Sequence, residues 1–185
     1  MCMEKQHDNR RVRVTKRMIK EALLELLEHD DLVDISITAL CEAADVHRST
    51  FYNYYSDPSD VLREIEQDFL DRIPVPPDKP EQVDAEQLLE KNTAFFDYVK
   101  DNGRVFRILF DGSKGSCFAA RLVETLCAGY IPVNSDADEI TAGFIRKYVA
   151  NGTVGMMREW VNTGYPVSSR EIAEKMYFLS VRITG

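Results

Sequence analysis

A short run of polar and aromatic residues at positions 48–54 carries the side chains best suited to binding chemistry. Arginine and tyrosine can donate hydrogen bonds to phosphate oxygens, whereas serine and asparagine can reach the edges of bases. Small hydroxyl residues also allow a helix to approach its target closely. This combination indicates DNA binding, and the residues that could contribute are Arg48, Ser49, Thr50, Tyr52, Asn53 and Tyr54.

The surrounding pattern predicts two short helices joined by a tight turn. Ser36 can cap a helix that runs to about residue 44, and Asp45 occupies the turn, where aspartate tolerates a left-handed backbone. A third helix is expected at about 48–54, with Phe51 and Tyr55 pointing inward. Two helices in this order, the second with a polar outer face, make a helix-turn-helix, because the major groove of B-DNA accepts one helix.

Further helices are predicted on both sides of this pair. Apolar residues at three-and-four spacing predict a first helix at about 16–29, capped by Thr15. Asp57-Pro58-Ser59-Asp60 is a strong start signal for a fourth helix, which should reach residue 73. The proposed first domain therefore covers residues 1–73, with 1–13 as a basic arm that can be disordered.

A proline-rich stretch at 74–80 predicts a semi-rigid linker, with a ligand for a partner domain as the other interpretation. Beyond it the pattern is helical again, and residues 81–185 form the second predicted domain. Its helices are expected at about 85–101, 104–110, 116–127, 136–163 and 168–181. The fold class is thus all-α, with about nine helices.

Composition and residue spacing argue against an enzyme, a metal site or a cofactor. The sequence holds no nucleophile–base pair and no paired carboxylates in a cleft-like motif. The four cysteines and three histidines fit neither a zinc site nor a disulfide framework. Cys41, Cys117 and Cys127 have apolar neighbours, so free thiols packed in the core are expected.

The net charge of −8 is unevenly distributed along the chain. Seven lysines and arginines lie between residues 5 and 20, ahead of an acidic body. An acidic protein should bind nucleic acid weakly in general, so its binding should depend on a specific site and on salt. No apolar run approaches a membrane span and no signal peptide is evident, which predicts a cytoplasmic protein.

Residues 15–65 resemble the DNA-binding domain of the tetracycline-repressor (TetR) family. The central match is residues 40–55, Leu-Cys-Glu-Ala-Ala-Asp-Val-His-Arg-Ser-Thr-Phe-Tyr-Asn-Tyr-Tyr. This is similar to the family pattern Ile-Ala-x-x-Ala-Gly-Val-Ser-x-x-Thr-Leu-Tyr-x-His-Phe. The departures are Asp45 for glycine, His47 for the serine cap, Tyr54 for histidine and Pro58 for a lysine. Ser59 or backbone N–H groups could replace that lysine.

The resemblance implies roles for individual residues. Ser49, Tyr52 and Asn53 would face base edges, whereas Thr50, Tyr52 and Tyr54 would contact phosphates. Thr38 and Lys16 would hold the flanking DNA backbone. Arg48 could do either, and the arginines of the arm, Arg10, Arg11 and Arg13, could add contacts.

The resemblance also implies a homodimer that binds a palindromic operator, with reading heads about 34–36 Å apart. The last two helices would pair with their counterparts, and the predicted interface residues are Gly152, Gly155 and Trp160. An effector pocket would be lined by Phe95, Phe96, Tyr98, Phe106, Phe110, Phe118, Tyr148 and Met156. The implied function is a repressor released by a small-molecule ligand. The alternative is a DNA-binding co-regulator whose C-terminal domain binds a partner protein and no small molecule.

Overall fold

The computed structural model describes residues 2–73, 85–129 and 137–184. These residues form helices and turns without any strand, which confirms the all-α prediction. The described residues contain nine α-helices, which are α1 Cys2–Leu27, α2 Ile37–Ala43, α3 Arg48–Tyr52, α4 Pro58–Leu70, α5 Ala85–Asp101, α6 Gly103–Phe110, α7 Phe118–Gly129, α8 Glu139–Asn162 and α9 Ser169–Thr184. Over the part of the chain described here, none of these helices has the length and apolar character needed to span a membrane.

The chain forms two compact units. The N-terminal unit comprises Met1–Phe69 together with the segment Asp111–Ser116, and the C-terminal unit comprises Leu70–Phe110 and Cys117–Gly185. The predicted proline-rich linker at 74–80 lies outside the described residues.

Helix α1 begins much earlier than the sequence analysis predicted. It runs without interruption from Cys2, so Thr15 lies inside the helix and caps nothing, and the predicted arm is its first half. The segment contains no glycine or proline and is rich in Arg, Lys, Glu and Leu, which all favour a helix. Its buried residues nevertheless follow the predicted stripe: Ile19, Ala22, Leu23 and Leu27.

The turn between α2 and α3 has the predicted geometry. The Ser36 hydroxyl accepts a hydrogen bond from the Ala39 N–H at 3.1 Å and so caps α2. Asp45 has a φ of 51°, in the left-handed region that the tight turn requires. His47 stands at the cap of α3 without a side-chain hydrogen bond, in line with its replacement of a serine cap.

Ion pairs join α1 to α4 inside the N-terminal unit. Glu64 bonds the ammonium groups of both Lys16 and Lys20 at 2.9 Å, and Lys20 also pairs with Asp68. Burial alone would raise the pKa of Glu64, but the two lysines hold it below its usual value. Burial likewise opposes the charge of Lys20, yet its hydrogen bonds to Asp68 and Glu64 raise its pKa. The network therefore stabilises the charged forms of both partners.

The segment 111–116 packs within the N-terminal unit although it lies far along the chain. The Ser116 hydroxyl donates to Glu66 at 2.9 Å, and only 3% of Glu66 is exposed. Lys114 lies 3.5 Å from the Asp31 carboxylate. Gly115 has a φ of 77°, and a side chain there would meet Leu32 at 3.1 Å. Glycine is therefore required on both conformational and steric grounds.

The C-terminal unit is built around aromatic side chains. The ring of Phe106 lies 5.8 Å from that of Phe118, and Phe110 lies 5.5 Å from Phe118. Ser168 and Glu171 form a capping box at the start of α9: Glu171 accepts from the Ser168 N–H at 2.9 Å, and Ser168 accepts from the Glu171 N–H at 3.2 Å.

We expect Glu64→Gln to lower the free energy of unfolding by about 1 kcal/mol at neutral pH, because both lysines lose a partly buried partner. A group with a lowered folded pKa stabilises the fold above its unfolded pKa, about 4.3 for Glu, and this contribution is lost as the pH falls. The difference from the wild type should therefore narrow below about pH 4. Urea unfolding of both proteins between pH 3 and 8 measures this difference in the free energy of unfolding.

The matched control is Glu21→Gln, which breaks the well-exposed Arg17–Glu21 pair at 3.6 Å. It should change stability by less than about 0.5 kcal/mol. Equal effects of the two substitutions would contradict a special role for the Glu64 network.

Candidate DNA-binding surface

Helix α3 is held by one aromatic residue and exposes the others. Phe51 is fully buried and its ring lies 5.8 Å from the ring of Tyr55, which is also buried. Tyr52 follows directly and exposes 58% of its surface. Because successive helix residues point about 100° apart, burial of Phe51 directs Tyr52 outward.

The predicted contact residues of this region lie close together around α3. Ser49 and Asn53 are exposed, and Thr50 and Tyr54 are half-buried. Helix α3 has five residues and is shorter than predicted, so Asn53 follows its last residue and Tyr54 lies in the turn beyond. The arrangement presents hydroxyl, amide and phenol groups that can hydrogen-bond to bases and phosphates.

Arg48 and Thr38 are joined to each other. The Arg48 guanidinium donates a hydrogen bond to the Thr38 hydroxyl, which connects the first residue of α3 to the first turn of α2. Arg48 is exposed and Thr38 is half-buried. The polar groups of the two side chains therefore lie next to each other at one position on the surface.

The Lys16 side chain is bound within the protein, although its predicted role is to contact DNA. Its ammonium group bonds Glu64 at 2.9 Å and lies 5.2 Å from the centre of the Tyr55 ring. The family resemblance implied a contact with the DNA backbone, but the charge of Lys16 is balanced within the unit. Its partner lies 48 residues away, and for that reason the local pattern did not reveal the pairing.

The start of α4 is also occupied by internal contacts. Asp57 accepts hydrogen bonds from the Ser59 N–H at 2.8 Å and the Asp60 N–H at 3.1 Å, and from the Ser59 hydroxyl. The bond from the Ser59 hydroxyl is the main reason why the pKa of Asp57 is lowered, so the carboxylate is stable there. These contacts occupy the groups that could replace the family lysine at Pro58.

The basic residues of α1 form an exposed surface. Arg10, Arg11, Arg13 and Arg17 all lie exposed on this helix. They are presented by a continuous helix and not by an extended arm. Their positions suit contacts with DNA phosphates outside the helix-turn-helix.

The predicted effector-pocket residues fall into three groups. One aromatic cluster has ring centroids 5.5–6.4 Å apart and consists of Tyr98, Phe106, Phe110 and Phe118. The rings of Phe95 and Phe96 lie 5.8 Å apart, and Phe96 packs against Trp160. Tyr148 and Met156 instead line a groove between α8 and α9. This corrects their assignment, since Tyr148 is 69% exposed.

The predicted dimer residues are likewise divided. Gly152 lines the α8–α9 groove, and a side chain at Gly152 or Gly155 would meet no atom within 4 Å. Trp160 is only 2% exposed: its Nε1 donates to the Val167 carbonyl at 2.9 Å, and its ring packs edge-on against Phe96 at 5.5 Å. Trp160 belongs to the core, which corrects its assignment to an interface.

The groove has a volume of about 840 Å³ and contains apolar residues that the sequence pattern did not assign to any site. Phe144 on α8 is 73% exposed, and Leu179 and Ile183 on α9 are 44% and 40% exposed. The sequence pattern that indicates this groove is the four-residue spacing from Phe144 through Tyr148 and Gly152 to Met156, which places these residues on one helix face.

Within the described residues no group of three His, Cys, Asp or Glu side chains is arranged to hold a metal ion. Cys41 is buried as expected, and burial raises the pKa of its thiol. Cys117 is exposed, contrary to the expectation of core packing, because it precedes the first buried residue of α7.

Three solved structures are similar over almost the whole chain. The dihydroxyacetone kinase operon activator DhaS is 19% identical, with a TM-score of 0.62 over 92% of this chain and 96% of that one. A TetR transcriptional regulator from Streptococcus agalactiae 2603V is 17% identical, with a TM-score of 0.67 over 95% and 98%. A putative TetR-family transcriptional regulator from Syntrophomonas wolfei str. Goettingen is 14% identical, with a TM-score of 0.64 over 92% and 94%. At these identities they establish the fold.

No curated protein sequence matches the chain. A TetR family model, described as the C-terminal region of transcriptional regulators, matches residues 86–181, which is more than half of the chain. With α2 and α3 arranged as a helix-turn-helix, the chain belongs to the TetR family of DNA-binding, non-enzymatic transcriptional regulators.

Proposed function

We propose that the protein is a homodimeric repressor that binds a palindromic operator through α3. The observation that carries the proposal is the burial of Phe51 beside the exposed Tyr52. A helix anchored in this way can enter the major groove without losing its packing. Ser49, Tyr52 and Asn53 read base edges, and Thr50 and Tyr54 contact the flanking phosphates. Lys16 holds α1 against α4 and acts on DNA only through that positioning.

The α8–α9 groove is the face that pairs the two subunits. Members of the family dimerise, and this groove presents exposed aromatic and aliphatic side chains that water would otherwise cover. The open space over Gly152 and Gly155 supports close approach of a partner helix. Pairing α8 and α9 with their counterparts gives a four-helix interface.

Release by a small molecule acts through the four-ring aromatic cluster of Tyr98, Phe106, Phe110 and Phe118. The cluster would favour a mainly apolar effector, which must separate rings that are in contact in the free protein. Separation of the rings would move α5, α6 and α7, because the rings lie on these helices. A ligand that binds the separated state better shifts the dimer towards a spacing that no longer fits the operator.

The close packing of these rings also favours the second candidate function. Phe106 and Phe118 are fully buried, so the interior is already filled by the protein's own side chains at this point. In that case the C-terminal unit would bind a partner protein and no small molecule. The regulator would then respond to its partner's abundance.

The double variant Tyr52→Ala with Asn53→Ala should weaken binding to the selected operator at least a hundredfold, because both residues reach base edges. A gel-shift titration on a duplex selected by the wild type measures the effect. Asn162→Ala, an exposed residue at the end of α8, is the control and should bind normally. Unchanged affinity of the double variant would refute the site assignment.

Phe144→Glu should convert the dimer to a monomer, because it places a charge in the apolar groove. Val33→Glu is the matched control, since Val33 is 90% exposed but lies in the N-terminal unit and outside the groove. Analytical ultracentrifugation at micromolar concentration reports both states. A dimeric Phe144→Glu protein would show that another face pairs the subunits.

Native mass spectrometry of the purified dimer separates the two modes of control. A bound small molecule adds mass that disappears on denaturation, as the effector proposal expects. Phe118→Leu, which removes a ring from the cluster, should alter the bound fraction. A dimer of unmodified mass in both proteins would favour control by a partner protein.

A further inference from the structure

The helix-turn-helix of this protein carries very little positive charge. Between residues 21 and 70 the only lysine or arginine residues are Arg48 and Arg63. Arg63 bonds Asp60 at 2.8 Å, so its charge is compensated on α4 itself. Arg48 bonds a neutral hydroxyl, and among the described residues no carboxylate lies within ion-pair distance of it.

Two of the other groups expected to hold the DNA backbone are engaged elsewhere. Lys16 is paired with Glu64, and the start of α4 is covered by Asp57. Thr50 and Tyr54 are neutral donors, so charge-assisted phosphate binding at the centre of the reading surface depends on Arg48. A protein that lacked it would present only neutral donors beside its own acidic groups.

The bond between Arg48 and Thr38 leaves donors on both side chains. A threonine hydroxyl that accepts a hydrogen bond from arginine still has its own proton to donate. The guanidinium has five N–H groups, of which this bond uses one. Because both side chains meet at the surface between α2 and α3, these donors can converge on one anion.

The position of Thr38 indicates which part of DNA this anion belongs to. In helix-turn-helix proteins the first helix of the motif crosses the DNA backbone, while the second lies in the groove. Thr38 lies on the first of these helices, α2, and it holds the guanidinium of Arg48 there. Arginine bonds phosphate oxygens as readily as it bonds guanine, so its placement decides its role.

We propose that Arg48 and Thr38 form a single phosphate clamp and that Arg48 does not read a base. The inference rests on the proposed function, because it requires that α3 enters the major groove. The clamp supplies the backbone contact that other family members obtain from the lysine replaced here by Pro58. Thr38 is a positioning residue in this clamp as well as a phosphate donor.

The test compares base preference with salt dependence. The wild-type dimer first selects its operator from a randomised duplex library. Arg48→Met should then bind that operator at least about tenfold more weakly, since a charge-assisted contact is lost in each subunit. The slope of log affinity against log salt should fall by about 0.9 per subunit. A repeated selection should return the same base preferences.

Arg63→Met is the matched control because it makes the same change in net charge. It should leave the affinity and the salt slope close to wild type, since Arg63 is already paired. An equal fall in slope for both variants would mean that net charge alone matters, and would overturn the clamp.

Thr38→Val should weaken operator binding about threefold to tenfold without changing the salt slope. Thr38→Ser, which keeps the hydroxyl, should bind the operator with the wild-type affinity. In a double-mutant cycle the two losses should be non-additive, because the residues form one unit. A purely structural role of Thr38 would instead give additive losses and lower thermal stability.

Relaxed selection at one base pair in Arg48→Met would overturn the inference and identify Arg48 as a base reader. If the wild type selects no sequence, the proposed function fails and the clamp fails with it. Normal selection by the wild type with an unchanged slope in Arg48→Met would refute the clamp alone.

Discussion

The burial of Phe51 is the interaction on which the DNA-binding surface depends. Helix α3 has only five residues, far fewer than an isolated helix needs in water. Its stability must therefore come from the side chain that it inserts into the N-terminal unit. Since Tyr55 packs against Phe51 and lies beneath the ammonium of Lys16, the short helix is supported by the α1–α4 ion pairs as well. Phe51 thus positions the helix, whereas its neighbour Tyr52 is exposed and available for recognition.

Electrostatics distinguishes this protein from a general DNA-coating protein. Its net charge is −8, and even the lysines of α1 nearest to α4 are neutralised by Glu64 and Asp68. Within the described part of the N-terminal unit, the exposed arginines are Arg10, Arg11, Arg13, Arg17, Arg48 and Arg63, and Arg17 and Arg63 are paired with carboxylates. We therefore expect this unit to attract DNA mainly through the first half of α1 and Arg48, and to associate weakly away from a specific site.

Local sequence signals predicted the elements well wherever the cause was local. The bounds of α5 were predicted correctly, and Ser36, Asp45 and Asp57 act as their spacing indicated. These features involve residues at most four positions apart, so the sequence contains the whole interaction. The start of α1 was missed because Thr15 resembles a cap, although helix-forming residues precede it.

Contacts between distant residues could not be predicted in this way. The pairing of Lys16 with Glu64 is one case, because nothing near Lys16 in the sequence is its partner. Tyr148 was assigned to an interior pocket, but 69% of its surface is exposed. Trp160 was assigned to an interface, but only 2% of its surface is exposed. Helical spacing identifies an apolar face, but the neighbouring elements decide whether that face meets the core or the solvent.

The segment 111–116 has a related consequence for protein engineering. A chimeric regulator built by grafting residues 1–73 onto another sensor would omit the Ser116 hydroxyl that bonds the buried Glu66. The transplantable module of this protein is discontinuous in sequence, and its boundary cannot be drawn with a single cut.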